Sequence, residues 1–333
     1  MEAKHADLVL QGGGVRGIGL AGAVQALARD GYRFPRIAGT SAGAITGALV
    51  AALEKAGEPL GRLRDIALTA DYPKFAEKGR LARLLGPLSP VGDALSLIFT
   101  EGLFSGDRLR EWIAGALADL GVAVFGDLRL PDDPGGDLPP AHRYRLVAVV
   151  TDVSRRRPVM LPWDYPLYGL DPDEQPVADA VLASASIPFY FRPVRLRPAG
   201  GTTSTLVDGG VFWNYPISIF DRTDGRPPRW PTFGVRLVQP DAKPAVQPVT
   251  STLALALGIA GSVYDAWDKM AVGVPCDAMR SMSVDTLGIS ATDFGITAAQ
   301  QQELFSSGEA AAASFTEHWD FQAYLRDCRG GAP

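Results

Sequence analysis

Leu8-Val9-Leu10-Gln11-Gly12-Gly13-Gly14-Val15-Arg16-Gly17 is the stretch on which the fold turns. Three apolar residues run into a glycine cluster, and the segment behind it, Ile18 to Arg29, carries Val24 and Leu27 before Gly31. That order reads as strand, glycine turn, helix. It repeats at once: Ile37 and Ala38 lead into Gly39-Thr40-Ser41-Ala42-Gly43, and Ala44 to Ala56 reads as a helix stopped by Gly57. Further out, strands are expected at Tyr144 to Thr151, Pro158 to Leu161, Leu206 to Val207 and Phe233 to Val238, with a helix at Val177 to Ala185. The mixture indicates an α/β sheet with helices on both faces.

Segments rich in Pro, Gly or Asp fall at Pro131 to Pro140, Pro198 to Thr205, Asp221 to Pro231 and Pro240 to Pro248, and none divides the chain cleanly. Near the end, Thr297 and Gln300 have capping-box spacing, with Leu304, Phe315 and Trp319 as a packing face behind them, so a C-terminal docking helix is expected. The alanine-rich stretches Ala48 to Ala52 and Ala310 to Ala313 suit close helix packing.

With 47% hydrophobic and 21% charged residues the chain can bury a substantial core. A net charge of -5 gives no electrostatic footprint for nucleic acid. Arginines gather at Arg155 to Arg157 and at Arg192, Arg195 and Arg197, either as solvated loop charges or as contacts for anionic lipid head groups. The two cysteines, Cys276 and Cys328, stand far apart in sequence and suggest neither a disulfide framework nor a metal site, which favours a reducing interior. The start, Met1-Glu2-Ala3-Lys4-His5-Ala6-Asp7, lacks the cationic and long apolar regions of an export signal. No apolar run reaches the roughly 18 residues of a membrane-spanning helix. The expectation is a cytoplasmic protein in peripheral contact with membranes.

Gly39-Thr40-Ser41-Ala42-Gly43 matches G-x-S-x-G, whose small residues permit a sharp strand-to-helix turn that projects the serine hydroxyl. Such a serine also sits at a helix N-terminus, where free N–H groups favour developing negative charge. The bland alternative is an ordinary small-residue helix start. Gly12, Gly14 and Gly17 satisfy the dinucleotide spacing G-x-G-x-x-G, but the acid expected at the end of the next strand is missing, where Arg36-Ile37-Ala38 runs into Gly39. The other use of such a loop is an oxyanion hole, in which glycine N–H groups point at a tetrahedral intermediate.

Serine nucleophiles usually pair with histidine, and the chain has only His5, His142 and His318, in a terminal tail, behind a Pro/Gly-rich loop and towards a helix end. A carboxylate is the better base. Leu206-Val207-Asp208-Gly209-Gly210 sets an acid at a strand end before a tight turn. An aspartate of ordinary pKa, about 3.9, accepts protons poorly, so this pairing requires Asp208 to be buried and hydrogen-bonded to Ser41.

The glycine-rich loop, G-x-S-x-G and a later Asp-Gly-Gly occur in the order found in patatin-like phospholipases, which this sequence resembles. Ala183-Ser184-Ala185-Ser186-Ile187-Pro188-Phe189 is similar to that family's helix-to-loop block, and Asn214-Tyr215-Pro216-Ile217 to the segment after its aspartate. The resemblance implies a patatin-like three-layer α/β fold with a central, mostly parallel sheet. It implies one domain over residues 1–333, with the signature core in 7–220 and a C-terminal strand and helices in 221–330. It further implies hydrolysis of phospholipid or lysophospholipid esters by a Ser41–Asp208 dyad, with no cofactor or metal. Gly12, Gly13 and Gly14 fall at the oxyanion hole, Gly13 and Gly14 first, with the Ala42 N–H as a further donor. Arg16, Gly17, Gly39, Gly43, Gly209 and Gly210 support the motifs, Arg16 either bracing the loop or meeting a phosphate.

Two other readings stay open. The same acyl-enzyme can pass its acyl group to an alcohol or thiol if water is excluded, which product analysis with added acceptors separates, and the fold can bind lipid without catalysis. For the acyl chain the apolar stretch Leu81 to Phe104, with Leu97 and Phe99, is expected to line a tunnel, form a lid, or pack as a plain helix pair.

Overall fold

The computed structural model describes residues 4–75, 104–133, 135–136, 138–198, 200–240, 249, 255, 258–259, 261–263 and 274–329. Strands β1 (Lys4–His5) and β2 (Asp7–Leu10) lead through the glycine turn into α1 (Gly17–Arg29). Strands β3 (Tyr32–Arg33) and β4 (Ile37–Thr40) precede α2 (Ala42–Ala56), α3 (Arg62–Thr69) and α4 (Tyr72–Phe75). After α5 (Asp107–Ala118) come β5 (Leu146–Asp152), β6 (Arg157–Leu161), α6 (Val177–Ser184), β7 (Val194–Leu196), β8 (Ser204–Asp208) and α7 (Gly210–Trp213). The chain continues through β9 (Thr232–Val238), α8 (Pro275–Met279), β10 (Ser281–Asp285), α9 (Ala298–His318) and α10 (Phe321–Cys328).

Eight strands form the central sheet in the order β10-β9-β2-β4-β5-β8-β7, with β6 also paired to β5. The pairings from β10 to β5 are parallel, and those of β6, β7 and β8 are antiparallel. β2, β4 and β5 are buried along their whole length, as interior parallel strands covered on both faces must be. The chain leaves β2 toward β4 and returns much later as β9 on the other side. This creates a switch point at the carboxyl end of β2, where α/β sheets bind ligands.

One face is covered by α1, α2 and α9, which share the main core with Leu8, Leu10, Ile37 and Val150. α9 opens on the expected capping box, Thr297 N–H donating to Gln300 Oε1 (3.0 Å) and Gln300 N–H to Thr297 Oγ1 (3.3 Å). The rings of Phe315 and Trp319 each lie 5.1 Å from Phe233. On the other face Val9, Ala38 and Val147 meet Tyr215, Ile217 and Phe220.

Two expectations change. Cys276 and Cys328 are joined in a disulfide, Cα to Cα 5.5 Å, because α10 folds back against α8 across 52 residues of chain. Sequence distance alone therefore misread them, and the cysteines lend no support to a reducing setting. The edge strand β10 was also missed, because Ser-Met-Ser-Val-Asp has only two apolar residues, Met282 and Val284, and both are buried. The stretch Leu81 to Phe104, except Phe104, and the break at Pro240 to Pro248, except Pro240, lie outside the described residues.

Candidate active site

Ser41 stands between β4 and α2 with φ 54° and ψ -122°. For a residue with a Cβ this is a strained backbone, of the kind that persists only when its surroundings hold it. Gly43 makes the turn possible, since a Cβ there would lie 2.2 Å from Leu10 O. Three further hydrogen bonds pin the elbow. Ser41 N–H donates to Ser184 Oγ (2.9 Å), that hydroxyl donates to Val149 O (2.6 Å), and Thr40 Oγ1 donates to Trp213 O (2.9 Å).

Asp208 ends β8 and is fully buried. In the ladders Thr40 is level with Val149 and Asp208 with Val150, so one step beyond Thr40 brings Ser41 level with Val150 too. The serine and the aspartate flank β5 from its two sides, two strand spacings or about 10 Å apart in backbone. Asp208 is fixed by Gly210 N–H donating to its Oδ1 (2.8 Å) and by its own N–H donating to Ser186 O (2.9 Å), while Gly209 N–H donates to Ser184 O (3.3 Å). The turn from Ser184 to Ser186 thus touches both sides of the pair. The sequence supplied this turn as a motif but gave Ser184 no role.

The glycine loop crosses the end of the same sheet. Gly12 N–H donates to Asn214 O (3.1 Å), so it differs from a third free donor. Among the described residues no acceptor meets the N–H groups of Gly13, Gly14 or Ala42. Gly14 has φ +59°, and a Cβ on it would lie 1.9 Å from Ala291 O, to which Val15 N–H donates (3.0 Å). Arg16 Nε donates to Gly13 O (3.1 Å), so it braces the loop. Gly17, Gly39 and Gly209 lie at close crossings, against Ala42, Gly43 and Val149 respectively.

An apolar pocket opens at Ser41. It has about 710 Å³ of space, solvent at the mouth included, and is walled by Ile18, Ile45, Leu49, Leu63, Tyr72, Phe75, Leu109 and Trp112. Phe191 and Phe294, 6.0 Å apart, form part of the rim, with Phe104 6.3 Å from Phe191. Its described walls come from α1, α2, α3, α4 and α5, and Ile45 and Leu49 repeat at helical spacing right behind the serine, a signal open to sequence reading.

The histidines stand in other settings. His5 lies 5.4 Å from the Trp230 ring, His142 stacks on Trp163 at 4.7 Å with burial lowering its pKa, and His318 ends α9 in an exposed position. Of the arginine clusters, Arg155 is tied to Asp152 and Ser204 and lies 4.6 Å over the Tyr168 ring, which makes it a local brace. No described helix is long and apolar enough to cross a membrane.

A three-layer α/β fold, a strained serine elbow and a glycine loop at the switch point define a class that the comparisons identify. Residues 8–221 match the family described as patatin-like phospholipase, and the chain belongs to that family. It is 34% identical over 318 residues to uncharacterized protein YqhO of Bacillus subtilis (strain 168), covering 95% of this chain and 100% of that one. A shorter likeness, 47% over 47 residues, links 14% of this chain to 7% of an RpoH suppressor of Rhizobium meliloti (strain 1021). Among solved structures VipD from Legionella pneumophila is similar in fold, with TM-score 0.50 and 18% identity over 95% of this chain and 67% of that one. The family is one of lipid acyl hydrolases.

Proposed function

We propose that the protein cleaves acyl ester bonds of phospholipids or lysophospholipids, with Ser41 as nucleophile and Asp208 as base, and that residues 1–333 act as one catalytic unit. Asp208 takes the Ser41 Oγ proton as the oxygen attacks the ester carbonyl. The N–H groups of Gly13, Gly14 and Ala42 stabilise the oxyanion, Gly12 shaping the loop without donating. Collapse expels the lipid alcohol, which takes the proton back from Asp208. The same carboxylate then deprotonates the water that releases the fatty acid from the acyl-serine.

The observation that carries this reading is the flanking of Val150 by Ser41 and Asp208, with Ser41 on the wall of the apolar pocket. Asp208 is fully buried at the end of β8, which supports a proton transfer shielded from bulk water. The pocket supports an acyl chain as ligand because its walls supply hydrocarbon contact. A fluorophosphonate probe tests the assignment. Mass mapping should find the adduct on Ser41, and an adduct on another serine would reject this nucleophile.

A further inference from the structure

The stripe of α2 that lines the pocket at Ser41 is Ala42, Ile45, Thr46 and Leu49, at the spacing of one helix face. Three of these are apolar, and Thr46 carries a hydroxyl. The residue is 7% exposed, and that hydroxyl makes no hydrogen bond among the described residues. Other helical threonines of this chain engage the hydroxyl with a carbonyl of the preceding turn, Thr69 with Asp65 O (2.5 Å) and Thr316 with Ala313 O (3.2 Å). Tyr72, another hydroxyl of the pocket, donates to Ala67 O (2.9 Å). Thr46 does neither, and a valine would fill the same wall without a polar group to satisfy.

The place of this hydroxyl fits a group on the substrate. Ser41 heads α2, and Thr46 follows about 7.5 Å further along the helix axis. Ile45 and Leu49 flank it on the same face, so an acyl chain held at Ser41 and lying along this wall passes Thr46 with its middle carbons. A plain chain that drives water from the pocket strands the hydroxyl in hydrocarbon, which is costly. A chain with its own hydroxyl at that depth supplies both a donor and an acceptor.

We propose that Thr46 selects acyl chains hydroxylated near their middle over plain ones, through a hydrogen bond between the two hydroxyls. This rests on the hydrolase reading above. Thr46 sets specificity and takes no part in the proton transfers at Ser41.

The test compares p-nitrophenyl dodecanoate with its analogues hydroxylated on the sixth, seventh or eighth carbon, in wild type, Thr46→Val and Thr46→Ser. Wild type should favour at least one hydroxylated ester over the plain one in kcat/KM. Thr46→Val should lower that preference about tenfold, mainly through KM, and Thr46→Ser should keep it. Hydrolysis with the same preference in wild type and Thr46→Val for all three analogues would overturn the inference and leave the hydrolase reading standing. Wild type inert on all four esters overturns the hydrolase reading, and calorimetry on Ser41→Ala then decides for Thr46. Tighter binding of a hydroxylated dodecanoate than of dodecanoate, lost in Ser41→Ala/Thr46→Val, supports the site. Equal binding of the plain and hydroxylated acids would overturn it.

Discussion

Ser41 N–H and Ser184 Oγ, 2.9 Å apart, tie the strained turn at Ser41 to the turn that also holds Asp208. Because Ser184 accepts this N–H, the Ser41 amide is engaged in support, and in the proposed reaction the oxyanion donors come from other residues. Ser184→Ala should lower kcat ten- to a hundredfold with little change in KM, as small displacements of a reacting group do. The stranded N–H should cost about 1–3 kcal/mol of stability. Steady-state kinetics and urea melts check both, and Ser184→Thr, which keeps a hydroxyl, should recover much of the loss.

The pocket walls define a second outcome. Leu49 lines the cavity one helical turn beyond Ile45, and a larger side chain there fills space that an acyl chain would occupy. Leu49→Trp should reduce the preference for dodecanoyl over butanoyl p-nitrophenyl esters by roughly tenfold or more. An unchanged chain-length profile in a stable variant would remove Leu49 from the acyl site.

Much of this was legible in the sequence, for physical reasons that differ by residue. Leu8 to Gly17 and Ile37 to Gly43 are short, buried and punctuated by glycine, so local pattern alone specifies strand, turn and helix. The strand end at Asp208 was legible because the glycines after it mark a turn. Ser184 was not, because its role depends on Val149 and Ser41, 35 and 143 residues away in sequence. Gly12 was given a donor's role because a sequence cannot tell that the Asn214 carbonyl returns to meet it. The disulfide was hidden for the same reason, its cysteines meeting only once the C-terminal helices have docked.

That disulfide gives a further outcome. In the unfolded, unreduced chain a thiol titration should find no reactive cysteine. Cys276→Ser should lower the unfolding free energy by about 2–4 kcal/mol, the usual range for opening a crosslinked loop. Two reactive thiols in the native protein would contradict the pairing.

Asp221 joins Arg280 and Arg329 where the C-terminal helix meets the sheet. Burial alone would raise its pKa, but hydrogen bonds and charge from Arg280, with help from Arg329, hold it below the usual carboxylate value. A depressed pKa stabilises the fold above the unfolded value, about pH 3.9, and this contribution is lost as pH falls through the folded value. Asp221→Asn should therefore flatten the acid limb of the stability profile below about pH 4. At pH 7 it should cost about 3 kcal/mol, since buried Arg280 keeps only Asp277. Urea midpoints across pH measure both.

The most direct measurement is fatty-acid release from phospholipid, lysophospholipid and short-chain esters by wild type, Ser41→Ala and Asp208→Asn, with each variant's fold confirmed by circular dichroism. The account predicts hydrolysis by wild type and background rates for both variants, a loss of at least about a thousandfold in kcat. Hydrolysis that survives Ser41→Ala or Asp208→Asn would contradict the dyad.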